Sequence, residues 1–175
     1  MRIIAGKHRG RVLAQFQGNG VRPTSDRVKE SLFQILSLKL VGARVLDLFC
    51  GSGALGLESL SRGAREAVFN DISKESLALL KKNLTALKET GMVYNLDFKA
   101  CLLRAEGKFD FIFVDPPYSP DYLSEILSLV KERNLLNEGG LVVYETEREQ
   151  PQVAGWDKAD ERKYGRTRVT LWKRI

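Results

Sequence analysis

Residues 47–56 read DLFCGSGALG, where the apolar run RVLDLF (44–49) breaks into glycines ahead of a helix-forming stretch. The apolar run is predicted to be a buried strand and GSGALGLESLSRG a turn that opens a helix. Gly51, Gly53 and Gly56 match G-x-G-x-x-G, a spacing that lets backbone approach a ligand closely at a helix start. Asp71 lies 20 residues beyond Gly51, at the end of the next predicted strand, EAVFND (66–71). A carboxylate there can accept hydrogen bonds from ribose hydroxyls. A dinucleotide, a methyl donor and a purely structural turn all share these glycines. Asp47 favours the second: an acid four residues before the first glycine is awkward beside a pyrophosphate and suits a cation. S-adenosylmethionine, a nucleoside with an ammonium and a sulfonium at its other end, fits both carboxylates.

Downstream, residues 73–90 are predicted helical, with Leu77, Leu80, Leu84 and Leu87 on one stripe that reads as core packing. Strands are expected near 93–97, 109–114 and 141–145, with a helix at roughly 121–133 and a turn at Gly139-Gly140. ERKYGRTRVTLWKR reads as a closing hairpin bent at Gly165, and Trp156 and Trp172 as packing residues. Upstream, RIIA and RVLAQF are expected to pair as short strands across a basic turn at Gly6 to Gly10. Thr24 or Ser25 can then cap a helix whose Val28, Leu32, Ile35 and Leu36 share a face. Residues 1–40 are expected to form an appendage on a main unit, 41–175. Strands alternating with helices imply an α/β fold, mostly parallel, with helices on both faces. Such sheets bind ligands beyond their strands' carboxyl ends, and every polar motif here falls at such an end.

The chain has 175 residues, 43% hydrophobic and 29% charged, enough for one well-buried core and unlike a disordered tail or a disulfide miniprotein. Its net charge of +6 is unevenly placed: seven bases against two acids in residues 1–30, and the same again in 158–175. The intervening stretch is mildly acidic, so two basic ends flank an acidic body, the layout of a protein that meets a polyanion. Two distant cysteines and one histidine, His8, are too poor a set for a zinc site. No signal sequence and no membrane-length apolar run is present, so a soluble cytoplasmic protein is expected.

A second motif is FIFVDPPY, residues 111–118. Two prolines stiffen the backbone and remove two amide donors, leaving carbonyls to accept. Asp115 and the Pro116 carbonyl can together hold an exocyclic amino group while Tyr118 stacks on its base. The amino nitrogen of a base is a poor nucleophile because its lone pair is delocalised. Acceptors at Asp115 and Pro116 favour a pyramidal nitrogen and oppose the positive charge that grows on it.

Together DLFCGSGALGLESLSRGA and VDPPY resemble the class I methyltransferases that modify amino nitrogens. The fuller pattern of MRIIAGKHRGR, RPTSDRVKESLF, SRGA, KKNL, VDPPY and KYGRTRVTLW resembles the bacterial small-subunit ribosomal RNA guanine-N2 methyltransferase family, RsmD, over residues 1 to about 173. The resemblance implies a Rossmann-like sheet of seven strands with the last antiparallel, S-adenosylmethionine as donor, and a guanine of 16S ribosomal RNA as acceptor. The sequence leaves naked RNA, an assembly intermediate and a finished subunit open as the form it meets, and a small-subunit assembly intermediate is the expected partner. It assigns Asp47, Phe49, Gly51, Gly53, Asp71 and Ile72 to the donor, Asp97 and Phe98 to its adenine, and Asp115, Pro116, Pro117 and Tyr118 to catalysis. Cys50, where a smaller residue is usual, and Ser73, where an acid often stands, depart from the family pattern. RNA contacts are expected from Lys7, Arg9, Arg11, Arg22, Arg27, Arg166 and Arg168, with no metal and a monomeric protein. An N6-adenine methyltransferase and a non-catalytic RNA-binding assembly factor are the alternatives. A protein-glutamine methyltransferase would leave the basic ends unexplained.

Overall fold

The computed structural model describes residues 1–16, 26–117 and 122–175. Arg22, Tyr118 and the expected caps Thr24 and Ser25 lie outside them. One sheet of seven strands organises the fold, in the order β3-β2-β1-β4-β5-β7-β6. The strands are β1 (Arg44–Asp47), β2 (Glu66–Asn70), β3 (Met92–Tyr94), β4 (Phe109–Val114), β5 (Leu136–Thr146), β6 (Trp156–Tyr164) and β7 (Thr167–Arg174). β7 runs antiparallel to both its neighbours and all other pairings are parallel, so six strands point one way and β7 the other. Strand order reverses between β1 and β4, and the crevice beyond their carboxyl ends is where such a sheet holds ligands.

Burial follows side-chain alternation. In β4, Phe111 and Phe113 enter the core under α1 (Asp26–Leu40), α2 (Ala54–Ser61) and α3 (Lys74–Leu87). Ile112 and Val114 enter the opposite core under α4 (Phe98–Arg104) and α5 (Leu123–Glu132). Trp156 and Trp172 are buried in that second core as packing residues. The leucine stripe of α3 is buried as expected, and Ser73 caps the helix by accepting from the Ser76 amide at 3.2 Å.

Several boundaries differ from the sequence reading. On α1 the buried arc runs through Val28, Leu32, Phe33, Leu36 and Leu40, leaving Ile35 at its margin, 38% exposed. Lys29, at the centre of that arc, is buried on Glu58 of α2. The 139–140 turn is instead an irregularity inside β5: Leu136 pairs with Phe109 and Leu141 with Phe111, so surplus residues loop out without ending the strand. The strand expected near 93–97 ends at Tyr94, and Phe98–Arg104, capped by Asp97, is a short helix that the sequence reading does not foresee. The N-terminal strands pair through a single bridge, Arg2 with Val12, as a hairpin around Gly6 and Gly10. Ile3 and Leu13 of that hairpin share the core of α1 and the sheet.

Candidate active site

Each glycine of the turn serves a different need. Gly51 has φ 54° and open space where a side chain would stand, so its role is backbone conformation at an accessible surface. Gly53 has φ 91°, and a Cβ there would lie 2.4 Å from Leu80. A Cβ on Gly56 would lie 2.3 Å from the Phe69 ring, so α2 can cross β2 closely only with glycine here.

Two acids brace this turn from the strand ends. Asp47 Oδ2 accepts from the Gly56 amide at 2.9 Å. Asp71 Oδ2 accepts from the Gly51 amide at 2.8 Å, and its Oδ1 from the Ser73 amide at 2.8 Å. Burial raises the Asp47 carboxyl to a pKa of about 7; the Gly56 amide opposes that shift, and the charges of Asp115 and Asp71 add to it. A carboxyl that burial, with a smaller contribution from two other acids, makes costly to ionise is a site that a cation would relieve.

Aromatic rings form the adjoining wall. Phe49, Phe98 and Tyr122 pack mutually, with centroids 4.9–6.0 Å apart, and all three line the cleft. Ile72, 73% exposed, and Asp97 stand on the same rim. One oxygen of Asp97 accepts from the Ala100 amide at 3.0 Å as the cap of α4. Buried Asn70 fastens the floor: its Nδ2 donates to the carbonyls of Leu48 and Leu96, and its Oδ1 accepts from the Leu96 amide. Open backbone at Gly51, acceptors at Asp47 and Asp71, and an apolar aromatic wall match what a positively charged nucleoside, which donates from its hydroxyls and ammonium, needs.

Asp115, Pro116 and Pro117 leave β4 into this same cleft, which encloses about 1250 Å³. It is also lined by Arg27 and Val28 of α1, Glu145 of β5, and Lys163 and Tyr164 of β6. Ser31 hydrogen-bonds the Tyr164 hydroxyl, joining α1 to the last hairpin. Cys50 and Cys101 are buried thiols; burial pushes Cys101 up to about 12 and Cys50 well above its ordinary value. No cluster of metal-ligating side chains occurs among the described residues.

The basic residues divide by their surroundings. Lys7 Nζ lies 2.5 Å from Glu89, which also contacts His8 Nε2 at 2.7 Å, so both fasten the hairpin turn beyond the end of α3. Arg11 donates to the Ala86 carbonyl at 2.9 Å. Arg168 lies within 4 Å of both Glu149 and Glu161, at 3.6 and 3.7 Å. Arg9 and Arg166 are exposed on the two hairpin turns, and Arg27 lines the cleft.

Sequence reasoning missed Tyr122, Asn70, Glu58 and Asn83. Glu58 is buried and receives the Ile4 and Ala5 amides, Lys29 and Arg62, holding the N-terminal hairpin to α2. The available signal was a pair of charges, Lys29 and Glu58, on otherwise apolar helix faces.

The sheet order, the glycine turn between two strand-end acids and the DPP exit from β4 define a Rossmann-like class I methyltransferase. The chain belongs to the family described as Conserved hypothetical protein 95, the RsmD family, whose profile matches residues 1–173. It is 38% identical to ribosomal RNA small subunit methyltransferase D of Escherichia coli K12, covering 99% of this chain and 90% of that one. Identity to the Haemophilus influenzae protein of the same name is 37%, over 99% and 93%. A solved Escherichia coli chain, yhhF, superposes with TM-score 0.90 at 38% identity, covering 99% of this chain and 97% of that one. A hypothetical protein of Thermus thermophilus does so with TM-score 0.84 at 32% identity, covering 98% of each.

Proposed function

We propose that the protein transfers a methyl group from S-adenosylmethionine to the exocyclic N2 of a guanine in 16S ribosomal RNA, as a cytoplasmic monomer acting on a small-subunit assembly intermediate. One observation carries this reading: Asp115 and Pro116 open into the same cleft as Asp47, Asp71 and the glycine turn, and the basic residues Arg27 and Lys163 line that cleft too. The names of the relatives support ribosomal RNA as the acceptor.

In this reading Asp47 faces the donor's cationic end, Asp71 takes the ribose hydroxyls, Phe49, Gly51 and Ile72 line the path with buried Gly53 shaping the turn behind them, and Asp97 and Phe98 border the adenine. Bound S-adenosylmethionine supplies an electrophilic methyl carried on a sulfonium. Asp115 and the Pro116 carbonyl accept the two N–H bonds of the guanine amino group, turning its lone pair out of conjugation. The Asp115 charge opposes the positive charge that grows on nitrogen. Pro117 stiffens the loop, and Tyr118 stacks on the base. The proton leaves the methylated nitrogen, by then acidic, for water or Asp115. Residues 1–40 serve the 41–175 unit as an RNA-engaging arm: Arg9, Arg22, Arg27 and Arg166 meet phosphates, with Lys7, Arg11 and Arg168 beside them.

The test is incubation with methyl-labelled donor and small subunits lacking the modification, followed by digestion to nucleosides. N2-methylguanosine is the expected product. N6-methyladenosine would support the adenine alternative, and no labelled nucleoside would overturn both.

A further inference from the structure

Asn83 sits in the last turns of α3, within the KKNL run that no step above uses. Its side chain is 2% exposed and fully committed. Oδ1 accepts from the Ala14 amide at 2.7 Å; Nδ2 donates to the Ala14 carbonyl at 3.1 Å and to the Ser52 carbonyl at 2.9 Å. Pairing with both backbone groups of Ala14 is what a neighbouring strand would do, and the reversed amide would set donor against donor. Ser52 lies between Gly51 and Gly53, so one buried amide joins the end of the basic hairpin to the turn that faces the donor. Gln15 and Phe16, next along the chain, line the cleft themselves. The hairpin's first strand and turn are fastened elsewhere: Ile4 and Ala5 on Glu58, Lys7 and His8 on Ser61 and Glu89.

We infer that Asn83 is a positioning residue that couples donor binding to RNA engagement. This rests on the reading of the protein as a donor-dependent RNA methyltransferase. A donor that orders Ser52 fixes the Asn83 amide, which fixes Ala14 and the second strand of the hairpin. Coupling between two binding equilibria is reciprocal, so RNA held on the hairpin must tighten the donor site by the same factor.

The test measures binding of an unmethylated 16S ribosomal RNA transcript with and without S-adenosylhomocysteine, and the exchange of the Ala14 amide with solvent deuterium. In the unaltered protein S-adenosylhomocysteine should tighten transcript binding by about fivefold or more and slow exchange at Ala14. In Asn83→Ala the ratio should fall below about twofold, and the effect on Ala14 should vanish, while each separate affinity changes less than the ratio does. Should Asn83→Ala fail to fold, Ala14→Pro, which removes the Ala14 N–H at the edge of the core, should lose the coupling likewise. An unaltered protein without coupling, or a folded variant that keeps it, overturns the role of Asn83. Absence of N2-methylguanosine from the nucleoside assay on the same preparation would instead overturn the functional reading.

Discussion

Asp47 and Gly56 are joined by a buried hydrogen bond of 2.9 Å, carboxylate to backbone amide, that spans the glycine turn from the end of β1 to the first turn of α2. The acid is 1% exposed. Its burial raises the pKa from 3.8 to about 7, so the neutral form is the one that folding favours.

The sign of the pH dependence follows. A carboxyl with a raised folded pKa contributes stability that is complete below 3.8 and is lost as pH rises through about 7. Asp47→Asn should remove that slope, so its melting temperature should decline less than the unaltered protein's between about pH 5 and pH 8. A cationic donor should ionise Asp47, so binding near pH 6 should release up to about one proton, read by calorimetry in buffers of different ionisation heat. Donor binding without proton release would place the cation away from Asp47.

Asp71 has two jobs that substitution can separate. Both its oxygens already accept backbone amides, so Asp71→Ala should loosen the Gly51 turn and cost roughly 1 to 3 kcal/mol of stability. Asp71→Asn keeps one acceptor and loses the charge, and should weaken donor binding by roughly 1.5 to 3 kcal/mol. Calorimetric titration and thermal melts together decide; unchanged donor affinity for Asp71→Asn would leave Asp71 a turn brace alone.

Asp115→Asn retains shape and one oxygen but removes the charge that opposes the growing positive nitrogen. The single-turnover rate should fall by about a hundredfold or more. Tyr118→Phe, which keeps the ring, should stay within about tenfold, and Tyr118→Ala should lose roughly 1 to 3 kcal/mol of stacking. Rapid mixing of the protein–RNA complex with labelled donor measures all three. A rate for Asp115→Asn equal to that of the unaltered protein would refute the charge argument, and equal damage from Phe and Ala would assign the role to the hydroxyl.

Lys7 and Arg9 are neighbours but differ in surroundings, since Glu89 already holds Lys7 while Arg9 is exposed on the turn. Arg9→Ala and Arg166→Ala should each reduce the salt slope of RNA binding by up to about one. Lys7→Ala should act mainly by freeing the turn. Burial raises the Glu89 carboxyl, but the hydrogen bonds and charges of Lys7 and His8 outweigh it and hold its pKa below 4.5. This anchor is therefore present above 4.5 and lost as pH falls through the lower folded value. Equal slopes for Lys7→Ala and Arg9→Ala would show that Lys7 leaves Glu89 for phosphate.

Local chemistry made much of this molecule legible in its sequence. The alternation of apolar runs with helical stripes was enough for the α/β class, because burial on both faces of a parallel strand favours a continuous apolar run and leaves polar residues to the strand ends. The three glycines, Asp47, Asp71 and DPP were legible because a turn, a charge and a proline constrain their own neighbourhoods. What only the tertiary structure decided are relationships between distant segments. Glu58 became the anchor of the hairpin, Lys7 was drawn onto Glu89, Asn83 met both Ala14 and Ser52, and Tyr122 joined Phe49 and Phe98. None of these follows from spacing, since a buried amide or carboxylate takes whichever partner the packed elements bring within hydrogen-bond reach. The same is true of the Asp47 proton: the residue is in the sequence, but its pKa is set by the desolvation that the closed fold imposes.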